Sequence, residues 1–258
     1  MNTSIVRRMW SLVAGFSRNT HVAQLRQMSE REPRWIAGPL TLAALRLATE
    51  SFAKKPRKGG DTPYLSHLLA VSALVMEHGG TEVQAAGGLL HDAIEDVKIT
   101  ADELATRLVE YGASSADAAA VATIVEACTD GTSDQNRSKD DWLPRKLEYL
   151  RSLEVKSADE LAMLVSLADK VHNIEATLTE IRGGTTAEVF YDQPWFNAKA
   201  PQQKWYYSTL ARTFADKLGT HQEAGKLVKR LTSAVDEIFR GVEDWQPGDD
   251  HTAGIDSR

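Results

Sequence analysis

The chain predicts an all-α fold, on three observations. Apolar residues recur at three- and four-residue spacing along most of its 258 residues, the period of a helix with one buried face. Helix-start signatures also recur: Thr81-Glu82-Val83-Gln84, Thr100-Ala101-Asp102-Glu103 and Ser157-Ala158-Asp159-Glu160 each set a hydroxyl three residues ahead of a Gln or Glu, the pattern of a capping box. No run alternates polar and apolar residues as a half-buried strand does, and no repeat is present.

The elements follow in order. Pro39 to Lys55 carries Leu40, Leu42, Leu45 and Leu47 on an alanine-rich background and reads as the first helix. Thr62-Pro63, a hydroxyl cap followed by proline in the first turn, predicts a helix over 62–78. The capping boxes place helices at 82–92, 101–111 and 158–182, and two more are expected at 115–128 and 140–151. Gly79-Gly80 and Gly183-Gly184 read as stops. Helices near 199–219 and 221–243 close the pattern. Two polar loops stand out. Lys54 to Asp61 is basic and lies just ahead of His67, and Thr129 to Asp141 precedes the helix expected at 140–151.

Composition narrows the function. No compositional break divides the chain, so a single domain is expected over 38–245. Residues 1–37 read as an N-terminal extension and 246–258, rich in Gly, Asp, Ser and Thr, as a disordered tail. With 30 basic and 36 acidic residues the net charge is −6, which argues against a DNA or RNA partner bound by bulk electrostatics. A phosphate-rich small molecule, held by a local basic cluster and a metal, remains compatible. The single cysteine, Cys128, excludes an intrachain disulfide and fits a reducing, cytoplasmic setting. Arg7-Arg8 precedes a short apolar stretch, Met9 to Phe16, that Ser11 breaks, so it is a poor signal peptide. No run approaches the roughly 20 apolar residues of a membrane span.

Histidine and carboxylate recur inside apolar helical sequence at three places: His67, His91-Asp92 and Asp169. A lone histidine on an apolar face is more often a satisfied core residue, and an isolated His-Asp is more often a polar helix end. Together the three pieces form a mixed N/O set suited to a divalent first-row ion such as Mn²⁺, Fe²⁺ or Zn²⁺. Asp169 lies in an apolar run, Leu164 to Ala168, where a carboxylate needs a cation or several hydrogen bonds. A salt bridge to Lys170 is not expected, because helix neighbours point apart. Glu95 lies one turn beyond His91, and Asn173 one turn beyond Asp169. Trp142, Arg145 and Lys146 share a helical face and, with Lys139, form a candidate surface for distal phosphates. His172 reads as structural, and His21, His78, His221 and His251 match no ligand pattern.

The order His67, His91-Asp92-x-x-Glu95-Asp96, Asp169-Lys170-x-His172-Asn173 resembles the HD-domain phosphohydrolases. Within them it is similar to the (p)ppGpp hydrolase branch, meaning the small stand-alone enzymes and the hydrolase half of the Rel/Spo proteins. The resemblance covers about residues 40–240. It implies an HD-domain helical globule in which His67, His91, Asp92 and Asp169 hold Mn²⁺. Glu95 and Asp96 would orient and deprotonate water, and Asn173 would contact the ribose or phosphate end of the nucleotide. Arg57-Lys58 would meet the base and phosphate. The implied reaction is removal of the 3′-pyrophosphate of guanosine tetra- or pentaphosphate. Two departures stand: the link Gly59-Gly60-Asp61-Thr62 is one residue longer than usual, and Leu68 replaces the usual proline after the histidine. The alternatives are a phosphohydrolase for another nucleotide, an adenosine alarmone or a simple nucleotide, and a non-catalytic HD binding module.

Overall fold

The computed structural model of the protein describes residues 32–129 and 142–248. The Met9–Phe16 stretch, Lys139 and most of the expected C-terminal tail lie outside the described residues. Among the described residues there are ten α-helices, one π-helical turn and no strand, which agrees with the all-α expectation. The helices are α1 (Pro39–Ser51), α2 (Leu65–Glu77), α3 (Glu82–Leu90), α4 (Ala101–Glu110), α5 (Ser115–Cys128), α6 (Trp142–Val155), α7 (Leu161–Arg182), α8 (Ala187–Tyr191), α9 (Ala200–Leu218) and α10 (Ala224–Ile238). The π-helical turn spans Ala93–Val97. The described residues from Ala37 onward belong to one compact unit. No described helix is long and apolar enough to cross a membrane.

The architecture centres on α3, which packs against α1, α2, α5 and α7. Its sequence explains how one short helix admits so many neighbours. Ala85, Ala86, Gly87, Gly88, Leu89 and Leu90 are all buried, and four of the six are Ala or Gly. A β-carbon on Gly88 would lie 3.1 Å from Ser72 Cα and 3.2 Å from Ser72 N. One on Gly87 would lie 2.7 Å from Ile124 Cγ2. Helices α2 and α3 thus meet backbone to backbone, an approach that glycine allows without strain. Ser72 Oγ donates to Ala85 O at 2.8 Å across the same contact. Leu47, Phe52, Leu68, Leu90, Leu104, Leu108, Val121 and Val125 fill the core around it. Each such burial stabilises the fold by about 1.5–3 kcal/mol before entropy is counted.

Helix starts show where local signals hold and where distant ones replace them. The capping boxes at Thr81/Gln84 and Thr100/Glu103 are complete. At Ser157 only half forms: Glu160 accepts from Ser157 N at 3.0 Å, but α7 begins at Leu161, so the pair closes the preceding turn. Helix α1 has no local side-chain cap. Glu82 supplies one from α3, its Oε1 accepting from Gly38 N at 2.8 Å, Thr41 N at 3.1 Å and Thr41 Oγ1 at 2.7 Å. Partial burial opposes its charge, yet these bonds hold the Glu82 carboxyl below its usual value.

Two expected boundaries are wrong in informative ways. Thr62-Pro63 does not start a helix. Arg57 N donates to Thr62 O and Tyr64 N to Lys55 O, each at 2.8 Å, and Pro56 faces Pro63 in an isolated antiparallel bridge. The basic loop is therefore a closed hairpin-like turn, and α2 starts only at Leu65. The helix expected over 82–92 ends at Leu90, and the wider π turn carries the chain on until Lys98, at φ 64°, ends it. Helix α8, started by Thr186, was not expected, and α10 starts at Ala224, three residues later than the sequence pattern predicts.

Candidate functional site

Four side chains from three elements meet at one point. His67 comes from the buried face of α2, His91 and Asp92 from the end of α3, and Asp169 from the buried half of α7. His67, His91 and Asp169 offer ligand atoms within 4.8 Å of one another, and all three are buried. Nε2 of His67 lies 3.3 Å from Asp169 Oδ1 and 3.6 Å from Asp92 Oδ2. Nε2 of His91 lies 3.0 Å from Asp92 Oδ2 and 3.5 Å from Asp169 Oδ1. An ion with bonds of about 2.1 Å spaces adjacent ligand atoms roughly 3.0–3.5 Å apart. Three of these four distances fall in that range and the fourth just beyond it, so the cluster can hold a divalent metal ion.

The chemistry of the donors points the same way. Nδ1 of His91 sits 2.9 Å from Gly88 O, so that nitrogen carries the proton and Nε2 presents its lone pair to the site. That Nε2 is buried and makes no hydrogen bond, although two carboxylate oxygens stand within 3.5 Å. Acceptors facing acceptors repel unless a cation lies between them. Without a metal, a proton is the remaining choice. Burial alone would push the His91 imidazole down, but Asp92 and Asp169 outweigh burial and hold it well above its usual value. Against burial, His91 and His67 keep the Asp92 carboxyl below the carboxylate range. Lys170 and the two histidines do the same for Asp169. Metal binding at such a site releases the proton.

A second layer fixes these side chains. Tyr64 Oη donates to Asp92 Oδ2 at 2.6 Å, its ring stacked on Phe52 and edge-on to His67. Burial and the neighbouring Asp92 push the Tyr64 phenol far up, so it stays a donor. Nδ1 of His172 lies 2.8 Å from Nδ1 of His67, which places His172 behind the cluster in a supporting position. Burial, together with His67 and Arg57, lowers His172 to about 4, so it is neutral and its Nδ1 can accept a hydrogen bond from His67. The pairing of Asp169 with Lys170, unexpected from sequence, is present at 2.8 Å. Adjacent helix residues diverge at Cβ, but the four-carbon lysine stem reaches back to Oδ2 while Oδ1 stays on the cluster side.

The other candidate residues separate into two groups. Asn173 uses both ends of its amide near the cluster: Nδ2 donates to Asp169 Oδ1 at 2.6 Å, and Oδ1 accepts from Arg57 Nη2 at 2.9 Å. The π turn that follows Asp92 carries Glu95 and Asp96, each against a cation. Arg145 Nη1 stands 3.4 Å from Glu95 Oε1, and Lys55 forms an ion pair with Asp96 Oδ2. Lys58 lies on the exposed side of the hairpin loop. Lys146 sits 5.0 Å above the Tyr206 ring. Trp142, expected on the phosphate-facing side, is instead buried edge-on against Trp205 and Tyr206, because α6 needs an anchor on α9. Sequence reasoning missed Lys55 and the support given by Tyr64 and His172. Only a basic loop directly ahead of a histidine helix signalled the first.

Comparison with known proteins gives a family. A model of the HD domain matches residues 44–188, more than half of the chain. The guanosine-3′,5′-bis(diphosphate) 3′-pyrophosphohydrolase MESH1 of Xenopus tropicalis is 31% identical over 139 residues, spanning 52% of this chain and 68% of that protein. A probable guanosine-3′,5′-bis(diphosphate) 3′-pyrophosphohydrolase of Synechocystis is 29% identical over 136 residues, 52% of this chain but 16% of that protein. The probable GTP diphosphokinase RSH3 of Oryza sativa is 26% identical over 223 residues, and the match spans 28% of its length. This chain thus corresponds to less than a third of these last two relatives. Among solved structures, a metazoan SpoT ortholog described as hydrolysing ppGpp superposes with a TM-score of 0.57 at 21% identity, over 80% of this chain and 97% of that one. At that identity the likeness establishes the fold.

Proposed function

Because the chain belongs to the HD-domain family, we propose that it is a metal-dependent hydrolase of guanosine alarmones, converting ppGpp to GDP and pppGpp to GTP with release of pyrophosphate. The observation that carries this reading is the convergence of N and O acceptors at buried His67, His91 and Asp169 and half-buried Asp92, with a carboxylate pair on the turn that follows Asp92. We assign Mn²⁺ to the site. The bound ion would polarise a phosphoryl oxygen and lower the pKa of water.

The residues around it then divide the work. Glu95 takes the proton of the attacking water, with Asp96 orienting that water. The water oxygen joins the phosphorus carried on the 3′ oxygen, the bond to that oxygen breaks, and the proton taken by Glu95 passes to the 3′ oxygen, so that the ribose leaves as the 3′ hydroxyl. Arg57, Lys58 and Asn173 bind the nucleotide, and Arg145, Lys146 and Lys139 receive its outer phosphates. The 3.4 Å approach of Arg145 to Glu95 supports this, since a phosphate drawn to Arg145 arrives beside the water-handling carboxylate. We take 38–245 as the unit that does this and the cytoplasm as its setting, in keeping with the free thiol of Cys128.

Steady-state hydrolysis of ppGpp, pppGpp, pppApp, GTP and dGTP, with Mn²⁺ and with chelator, tests the proposal. The guanosine alarmones should exceed GTP and dGTP in kcat/KM by at least about tenfold, roughly 1.4 kcal/mol of transition-state binding. Chelator should abolish turnover. Equal efficiency on GTP and ppGpp would leave only a general HD phosphohydrolase. Binding without turnover of any of them would point to a non-catalytic module.

A further inference from the structure

Resting on the alarmone reading, we propose that Trp195 is a specificity-determining residue: its indole forms the flat wall on which the purine base of the substrate lies. The inference starts from the basic hairpin loop. Gly59 adopts φ +79°, and a β-carbon there would come within 2.9–3.2 Å of the indole atoms Cζ2, Cε2 and Nε1 of Trp195. The loop backbone is therefore pressed directly against the ring. Gly59 is required twice, for its left-handed conformation and for the space the indole occupies.

Trp195 is nevertheless 37% exposed, although six tryptophans are available to the chain and Trp142 and Trp245 are buried. Its place is held by the aromatic cluster behind it. Phe196 lies 6.4 Å away and packs in turn on Phe190 and Tyr191 at 5.0 and 4.9 Å. An indole that packs against the Gly59 backbone, is backed by this aromatic cluster and is still 37% exposed offers flat ring surface for a base to stack on.

Two hydrogen bonds link the loop to the His/Asp cluster. Arg57 is two residues from Gly59, its Nη2 reaches Asn173 at 2.9 Å, and Asn173 reaches Asp169 at 2.6 Å. The Arg57 guanidinium is thereby turned toward Asn173 and the His/Asp cluster, and the flat surface against this loop is that of Trp195. A 3′,5′-substituted purine nucleotide matches that layout, with the base at Trp195 and the 3′ ester at the cluster.

The test compares wild type, Trp195→Ala, Trp195→Leu and Trp195→Phe, each with Mn²⁺. For ppGpp hydrolysis, Trp195→Ala and Trp195→Leu should raise KM about tenfold, with kcat changed less than about twofold, and Trp195→Phe should stay near wild type. Leucine keeps apolar bulk against Gly59 but lacks a ring, so a Trp195→Leu variant equal to wild type would show mere loop packing and overturn the proposal. Calorimetric binding of guanosine and uridine 3′,5′-bisphosphates supplies the second reading. Loss of the ring should weaken the guanosine compound more than the uridine compound, whereas equal weakening would overturn the stacking role. If wild type binds ppGpp but does not hydrolyse it, the reaction falls and the binding comparison still decides Trp195. If it neither binds nor hydrolyses ppGpp, both readings fall.

Discussion

Replacing Tyr64 by Phe isolates one hydrogen bond behind the metal cluster. The variant loses only the hydroxyl that donates to Asp92 Oδ2 at 2.6 Å. The ring remains, with its stack on Phe52 at 5.4 Å and its edge contact to His67 at 5.4 Å, so no cavity opens. A hydrogen bond to a charged acceptor is worth about 1.5–3 kcal/mol, and that sets the upper bound of the loss. Supporting bonds to ligand side chains typically change metal affinity by about 10–100-fold, or roughly 1.4–2.8 kcal/mol, so the two estimates agree. We expect Mn²⁺ to bind Tyr64→Phe about 10–100-fold more weakly, measured by competition with a chromophoric chelator. Unchanged far-UV circular dichroism would confirm that the fold is intact. An affinity within threefold of wild type would refute the idea that Tyr64 sets the position of Asp92.

Three further outcomes follow from the same geometry. Glu95→Gln should keep its metal content, because the carboxylate of Glu95 is engaged by Arg145, while ppGpp turnover falls by about two to four orders of magnitude; loss of metal on elemental analysis would contradict that division. Gly88→Ala inserts a methyl 3.1 Å from Ser72 Cα between the helices carrying His67 and His91, so thermal unfolding should show about 1–3 kcal/mol lost together with weaker Mn²⁺ binding. Burial, aided by Tyr207, holds the Tyr191 phenol well above its ordinary 10.0, so the unfolded chain ionises first. Stability present below pH 10 is then lost as pH rises beyond it, and Tyr191→Phe should flatten that alkaline decline in urea-melt midpoints.

What could be read from sequence was whatever depends on local spacing. The hydroxyl-to-carboxamide or hydroxyl-to-carboxylate pairs at Thr81/Gln84 and Thr100/Glu103 act over three residues, and both are complete caps. The residue types of His67, His91 and Asp169 stood out against apolar surroundings, and those three lie within 4.8 Å of one another. What could not be read depends on distance along the chain. His172 meets His67 across 105 residues, Arg57 meets Asn173 across 116, and no periodicity encodes either pairing. Thr62-Pro63 misled because the same residues that can open a helix can close a turn. Which occurs depends on whether Lys55 and Thr62 carbonyls are available to Tyr64 and Arg57.

The π turn after Asp92 has a consequence for how this site can vary. In an α-helix each residue adds about 100° of rotation, so Glu95 and Asp96 would be locked in phase with His91. The wider turn, Ala93–Val97, adds backbone without continuing that phase, and Lys98 halts it in the left-handed region. It sets the angle between His91 on α3 and the acidic pair to which we assign the water. Removing one residue from it would swing the acidic pair by about 100° while leaving His91 on α3 untouched. Such a deletion should yield a protein that still loads metal but has its water-handling carboxylates facing elsewhere. On the proposed assignment, the length of this turn sets where Glu95 and Asp96 point without altering the side chains assigned to the metal.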